Sequence, residues 1–229
     1  MTGVLVTSGG TREAIDGVRH ITNFSSGTTG AALADAFVAA GWSVTLVRAR
    51  DAVRPSSDAV EQVAFSSVDD LDAACRDALA ARRYDMIVHA AAVSDFVVDA
   101  VVVDGVRHAA PLRGKLDSAR SLSVELVPSP KILPRLRGYG RGDGGRLVVV
   151  GFKLTNGATA AEAVDAVRRQ FASAGVDAVV HNDLTEMDHD AGRHVTTLHG
   201  PRGPIGRATT NAELARLLIE LVEFSASGA

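Results

Sequence analysis

Asp85-Met86-Ile87-Val88-His89-Ala90 runs straight into Ala91-Ala92-Val93-Ser94-Asp95. The first six residues read as a strand, and their unbroken apolar run is that of a strand in the middle of a parallel sheet. Upstream, Val68 to Arg83 reads as a helix with acidic residues early and arginines late, matching the macrodipole. Val60 to Phe65 and Ser43 to Val47 read as strands, and Gly30 to Ala40 as a helix ended by Gly41. Val4-Leu5-Val6-Thr7 is a first strand, broken by Ser8-Gly9-Gly10. This alternation predicts an α/β, doubly wound (Rossmann-like), mostly parallel sheet with helices on both faces. Ligands of such sheets sit beyond the carboxyl ends of the strands. Ser8-Gly9-Gly10, the segment 22–30 and Ala91 to Asp95 all fall on that edge.

Downstream the pattern changes. Phe96 to Val103 is β-rich, Asp104-Gly105 is a hairpin signal, and Val106 resumes the strand. We read a β-hairpin arm, inserted at about 96–127, whose Phe96–His108 part is expected to join two subunits by strand pairing. Leu122 to Leu126 is a strand, and Pro128-Ser129-Pro130 opens a short helix from Lys131 to Arg137. Gly140, Gly142 and Gly145 spell G-x-G-x-x-G. They follow a helix and precede the strand Leu147 to Phe152, the wrong order for a dinucleotide fingerprint, so a surface loop is expected. Thr159 to Ala174 is a helix, Asp177 to Asp183 a strand, Arg193 to Leu198 with Ile205 to Ala208 a β pair, and Asn211 caps a last helix. The whole, 1–229, is expected to be one domain.

Composition narrows the function. Nearly half of the 229 residues (46%) are hydrophobic but only 4% aromatic, so the core must be built of aliphatic layers. A net charge of −3 without a basic run argues against nucleic acid as a partner. The single Cys75 lies in a helical segment and excludes an intrachain disulfide; a buried core residue is expected. No signal segment or membrane-length apolar run is seen, so the chain is expected to be cytoplasmic, with no membrane partner. His189, His194 and His199, near Asp188 and Asp190, suggest a metal site. Steps of five alternate faces on a strand, however, and a solvated hairpin is expected instead.

Of the 24 lysines and arginines only Lys115, Lys131 and Lys153 are lysines, which marks these three for attention. Thr22-Asn23-Phe24-Ser25-Ser26-Gly27-Thr28-Thr29-Gly30 leads into the first long helix. Hydroxyls and glycines there leave backbone N–H groups available to an anion, phosphate above all. The same residues would also serve as a plain N-cap.

Several of these stretches recur together. Val4 to Gly10, Thr22 to Gly27, Ala90 to Phe96, Gly114-Lys115-Leu116, Gly151-Phe152-Lys153-Leu154 and Asn182-Asp183, in this order, resemble phosphopantothenate–cysteine ligase (phosphopantothenoylcysteine synthetase) over roughly residues 3 to 222. The chain looks like the stand-alone form. The resemblance implies a ligase of coenzyme A biosynthesis. CTP or ATP activates the carboxylate of 4′-phosphopantothenate as an acyl-nucleotide, which the amine of L-cysteine then attacks. It also implies Mg²⁺, whose ligands stay unassigned, and a homodimer.

By the same resemblance Gly9, Gly10, Ser25, Ser26, Gly27 and Gly30 would cradle the triphosphate. Asn23 would hold the acyl group and assist the cysteine step. Ala91, Ala92 and Asp95 would line the pantothenate and nucleotide pocket. Lys115, on a loop, would close over the reactants. Pro130, Lys131, Ile132, Leu133, Phe152, Lys153 and Asn182 would frame the nucleotide. Where many fused bacterial enzymes carry helix lysines, this chain has Gln170 and Ala174, with Arg168 and Arg169 nearby. The choice between CTP and ATP therefore stays open.

Two other readings compete. A short-chain-type NAD(P)-dependent oxidoreductase wants Tyr-x-x-x-Lys, yet Tyr84 and Tyr139 are followed four residues on by Val88 and Asp143. A nucleotide-binding regulator without chemistry would use the same loop as the ligase.

Overall fold

The chain enters through β1 (Gly3–Ser8), buried along its whole length. Only a strand paired on both edges and covered on both faces is sealed in this way. The structure, a computed structural model, describes residues 1–116, 121–140, 147–188 and 193–227. A short hairpin, β2 (Arg12–Ala14) and β3 (His20–Thr22), precedes α1 (Thr28–Ala39), β4 (Ser43–Ala49), β5 (Glu61–Phe65), α2 (Val68–Ala81) and β6 (Met86–His89). The arm consists of β7 (Phe96–Val103), β8 (Val106–Ala109) and β9 (Leu122–Pro128). A 3-10 turn, Leu133–Arg135, then leads into the single turn α3 (Leu136–Tyr139). There follow β10 (Val148–Thr155), α4 (Ala160–Ala174), β11 (Ala178–Asp183), the small pair β12 (Met187–Asp188) and β13 (Arg193–His194), β14 (Thr196–Gly200), β15 (Gly203–Ala208) and α5 (Asn211–Ser227).

Eight strands form the main sheet in the order β15-β14-β11-β10-β6-β1-β4-β5. The six from β11 to β5 are parallel, and β14 and β15 add an antiparallel edge. Successive side chains point to opposite faces. Val4, Val6, Met86, Val88, Val148 and Val150 thus meet Leu33 and Phe37 of α1 and Leu214 and Leu218 of α5. Leu5, Ile87 and Val149 meet Leu71, Cys75 and Leu79 of α2, Leu136 of α3 and Val167 of α4. Register makes the first face continuous: Leu46, Val6, Val88, Val150 and Ala178 stand side by side across five strands. Burying each of these larger side chains stabilises the fold by about 1.5–3 kcal/mol. The doubly wound sheet expected from the sequence is the one observed. Cys75 is a core residue, its thiol pushed up to about 12 by burial and then by Asp72.

The arm is a separate three-stranded antiparallel sheet in the order β8-β7-β9. Asp104 (φ 50°) and Gly105 (φ 81°) take the left-handed conformations that a tight two-residue hairpin demands. Ala100 and Val101 are buried, whereas Phe96, Val106, Leu122, Leu126 and Val127 lie exposed.

Elsewhere the structure departs from the sequence reading. The β2–β3 hairpin was not anticipated. The helix expected over Lys131–Arg137 is a 3-10 turn followed by α3, because Pro134 falls within its first turn. The strand expected over Arg193–Leu198 breaks at Val195: β13 pairs with β12 and β14 with β11. Residues 141–146 of the glycine loop, like His189 and Asp190, lie outside the described residues.

Candidate functional site

The chain winds from β1 toward β4 and β5, and from β6 toward β10 and β11, so the order reverses between β1 and β6. A crevice opens beyond the carboxyl ends at such a point. Its two walls, residues 8–11 and 90–95, are laced together. Gly10 bridges to Ala92, the Ala92 N–H donates to Gly9 O at 2.9 Å, and the Thr11 N–H donates to Ala92 O at 3.1 Å. Beneath them the Thr7 hydroxyl accepts from the Ala91 N–H (3.1 Å) and shares a hydrogen bond with His89 Nδ1 at 3.0 Å. Burial pushes His89 down to about 4, and its imidazole is neutral. Ala91 and Ala92 present only methyl groups, which leaves room above the turn.

The N-terminus of α1 meets this crevice. Its N-cap is Gly27 in the left-handed region (φ 79°), with no side-chain cap and no acid in the first turn. A Cβ on Gly27 would come within 2.7 Å of Ala52 Cβ, and one on Gly30 within 2.3 Å of Ser8 Cβ. The helix therefore sits directly on the end of β1. Ser8 Oγ, fully buried under this junction, has no hydrogen-bond partner among the described residues. Ser26 Oγ and Thr28 Oγ1 lie 2.9 Å apart at the mouth, with Ser25 half-buried beside them. Amides of a first turn, hydroxyls and a helix dipole without a resident carboxylate make an anion site.

Asn23 spans the crevice. It is exposed, and its Nδ2 donates to Val93 O at 3.1 Å, tying the 22–27 loop to the 90–95 loop. Gly10 is bare for this reason too, since a Cβ there would lie 2.4 Å from Asn23 O. Asp95 leaves the crevice rim to pair with Lys131, both exposed. The Ser129 N–H donates to Asp95 O at 2.9 Å, so Pro130 and Lys131 are held at the same rim.

The chain is similar to known proteins. A family model described as the DNA/pantothenate metabolism flavoprotein C-terminal domain matches residues 1–223. The chain belongs to this family. The coenzyme A biosynthesis bifunctional protein CoaBC of Thermococcus kodakarensis is 39% identical over 181 residues, 79% of this chain and 41% of that protein. CoaBC of Mycolicibacterium smegmatis is 33% identical over 204 residues, 84% of this chain and 46% of that protein. The chain thus spans under half the length of these curated relatives. The DNA/pantothenate metabolism flavoprotein from Streptococcus pneumoniae superimposes with a TM-score of 0.83 at 24% identity, covering 98% of this chain and 100% of that one. A Cab2 mutant in complex with phosphopantothenate-cysteine superimposes at 0.75 and 19% identity, covering 99% and 88%.

Within this family fold, the remaining expected residues spread out. Ile132 is a core residue, packed in the cluster that includes α2, α3 and α4. Leu133 packs against the same cluster. Phe152 packs on the α1/α5 face, and Lys153, the next residue of β10, points to the opposite one. Gln170 donates to Phe152 O at 3.2 Å and fills the space over Gly151, so its role here is structural. Arg168 lies along α4, 3.9 Å from Asp165. Asn182 is buried, with its Nδ2 3.4 Å from His194 Nε2. Lys115 is exposed and has no partner among the described residues.

The sequence reading gave no site role to four residues of the surroundings. Ser8 is the orphan hydroxyl. His194, expected in a solvated hairpin, instead links Asn182 to α1 through Thr29 Oγ1 at 3.2 Å. Among the described residues no three His, Cys, Asp or Glu converge on a metal site. Asp183 accepts from the Thr155 and Thr185 hydroxyls and the Gly157, Ala158 and Thr185 amides, which hold it well below the usual carboxylate range. It welds the exits of β10 and β11. Asp16 does similar work on the β2–β3 turn. Its signal was the Asp16-Gly17 dipeptide, a turn former between short strands.

Proposed function

We propose that the chain joins 4′-phosphopantothenate to L-cysteine, using a nucleoside triphosphate, CTP or ATP, to activate the carboxylate. The observation that carries this reading is Asn23 held across the switch-point crevice at the uncapped mouth of α1. Membership of the family, relatives named for coenzyme A biosynthesis and a neighbour solved with phosphopantothenate-cysteine support it.

A carboxylate repels a polyphosphate, so charge must be neutralised and the reactants aligned. The α1 amides, with Ser25, Ser26 and the orphan Ser8 hydroxyl, suit the phosphates. The carboxylate oxygen attacks the α-phosphorus and pyrophosphate leaves. The cysteine nitrogen then attacks the acyl carbon, forms the amide, loses a proton and expels the nucleoside monophosphate. Asn23 has one amide hydrogen and its Oδ1 beyond the Val93 bond. The hydrogen suits the acyl oxygen and Oδ1 suits the incoming amine. Lys115 would come in over the reactants and counter charge that develops there.

Mg²⁺ would be carried here mainly by phosphate and water, with the Ser26 and Thr28 hydroxyls at the mouth of α1 as oxygen donors. Bound there, it would neutralise phosphate charge. The exposed apolar arm supports a homodimer, joined by strand addition at β9 or β8.

Pyrophosphate release decides the matter. We expect it to require both nucleotide and phosphopantothenate, and cysteine to convert the accumulated acyl-nucleotide. Nucleotide binding without any pyrophosphate would overturn the ligase reading in favour of a regulator. CTP and ATP are compared in the same assay.

A further inference from the structure

The β2–β3 hairpin ends at Thr22 and passes directly into Asn23. Its other end, the turn 15–19, holds the loop that carries Lys115. The Gly17 N–H donates to Gly114 O at 2.8 Å, and the Leu112 N–H donates to Ile15 O at 3.0 Å. A Cβ on Gly17 would lie 3.0 Å from Gly114 O, so the loop rests on the turn's backbone. At the centre is Asp16, whose side chain is 0% exposed. One carboxylate oxygen accepts the N–H groups of Val18 (2.8 Å) and Arg19 (2.7 Å), which close the turn. The other accepts the Leu116 N–H (3.1 Å) and the Arg19 guanidinium (2.6 Å). That guanidinium also donates to Leu116 O.

Resting on the ligase reading above, we infer that Asp16 is a positioning residue that sets where Lys115 enters the crevice. The residues on either side of Lys115 are fixed to the turn of a hairpin whose far strand delivers Asn23. From Arg19 to Asn23 the hairpin runs four residue steps, roughly 13 Å at a strand's rise. The two groups closest to the proposed chemistry are thereby held at a set offset by one short element. The Val18 amide, ahead of those of Leu116 and Arg19, holds the Asp16 carboxyl well below the usual carboxylate range despite its burial. The latch stays charged at every pH at which a cytoplasmic enzyme works.

Asp16→Asn separates the two halves of this site. The remaining oxygen still closes the turn, while the new NH₂ can accept neither the Leu116 N–H nor the guanidinium. We expect Leu116 amide exchange to accelerate in the free protein, with the Val18 and Arg19 amides still protected. Turnover should fall about 100-fold, as for other small displacements of a reacting group. In a Lys115→Ala background the same substitution should cost less than about twofold, because the two changes act through one group. An equal loss in both backgrounds, or unchanged exchange at Leu116, overturns the inference. If Asp16→Asn fails to fold, as circular dichroism would tell, Arg19→Met removes the guanidinium bonds to Leu116 O and to the Asp16 carboxylate, leaves the backbone amides on that carboxylate, and is read against the same turnover outcomes. An inactive wild-type protein would sink the ligase reading as well, and the exchange data would still report separately whether the latch exists.

Discussion

α1, α2 and α4 all begin at the carboxyl edge of the main sheet, and they begin differently. Ser67 and Asp70 close α2 with a reciprocal capping box, and Thr159 and Glu162 close α4 in the same way. Each brings its own carboxylate to its first turn. α1 has glycine at its cap, no acid and a stranded hydroxyl beneath it. Two ends are satisfied from within and one waits for an anion from outside. Helix–dipole chemistry is common to all three, so what distinguishes a site from a terminus is what the sequence withholds.

The largest effect should come from placing charge at the open end. Asn23→Asp removes a donor and adds a negative group where charge develops, and kcat should fall about 10²–10³-fold. Unchanged turnover would remove Asn23 from the mechanism. A second test probes the floor of the crevice. His89 is neutral and buried, with its pKa lowered from 6.5 to about 4. A depressed folded value means stability that is fully present above the unfolded value and lost as pH falls toward the folded one. Denaturant melts between pH 6.5 and 4 should therefore lose as much as about 3 kcal/mol, a slope that His89→Asn abolishes.

Closing the open end comes next. Thr28→Glu gives α1 the carboxylate that its neighbours have. Nucleotide affinity by titration calorimetry should drop at least tenfold from like-charge repulsion, while the melting temperature holds or rises. Unchanged affinity would make α1 an ordinary helix start. The smallest effect is the converse one, opening a closed end. Ser67→Ala should cost about 1 kcal/mol and leave nucleotide affinity untouched.

The same contrast explains what the sequence disclosed. Sheet and helices were legible because Val4 to Val6, Met86 to Val88 and Val148 to Val150 are apolar on both faces, which few other arrangements permit. The crevice followed from glycines and alanines at strand exits. Residues whose role depends on a partner distant in the chain stayed hidden. Ser8 looks like any serine until Gly30 is seen on top of it. Asp16 contacts Leu116 across 100 positions. β2 and β3 have three residues each, too few for alternation to show, although Asp16-Gly17 offered the same turn signal that was read at Asp104-Gly105. The burial of the Ile132 side chain stayed hidden as well, because a motif gives order along the chain and not the direction a side chain faces.

The sealed thiol of Cys75 has a practical consequence. With its sole cysteine inside the α2 layer and its ionisation suppressed, the native chain offers no competing nucleophile to maleimides or disulfide reagents. A probe cysteine introduced on the arm or beside the crevice would label selectively against an unmodified background. The protein can likewise stand in millimolar cysteine or cystine without forming mixed disulfides of its own.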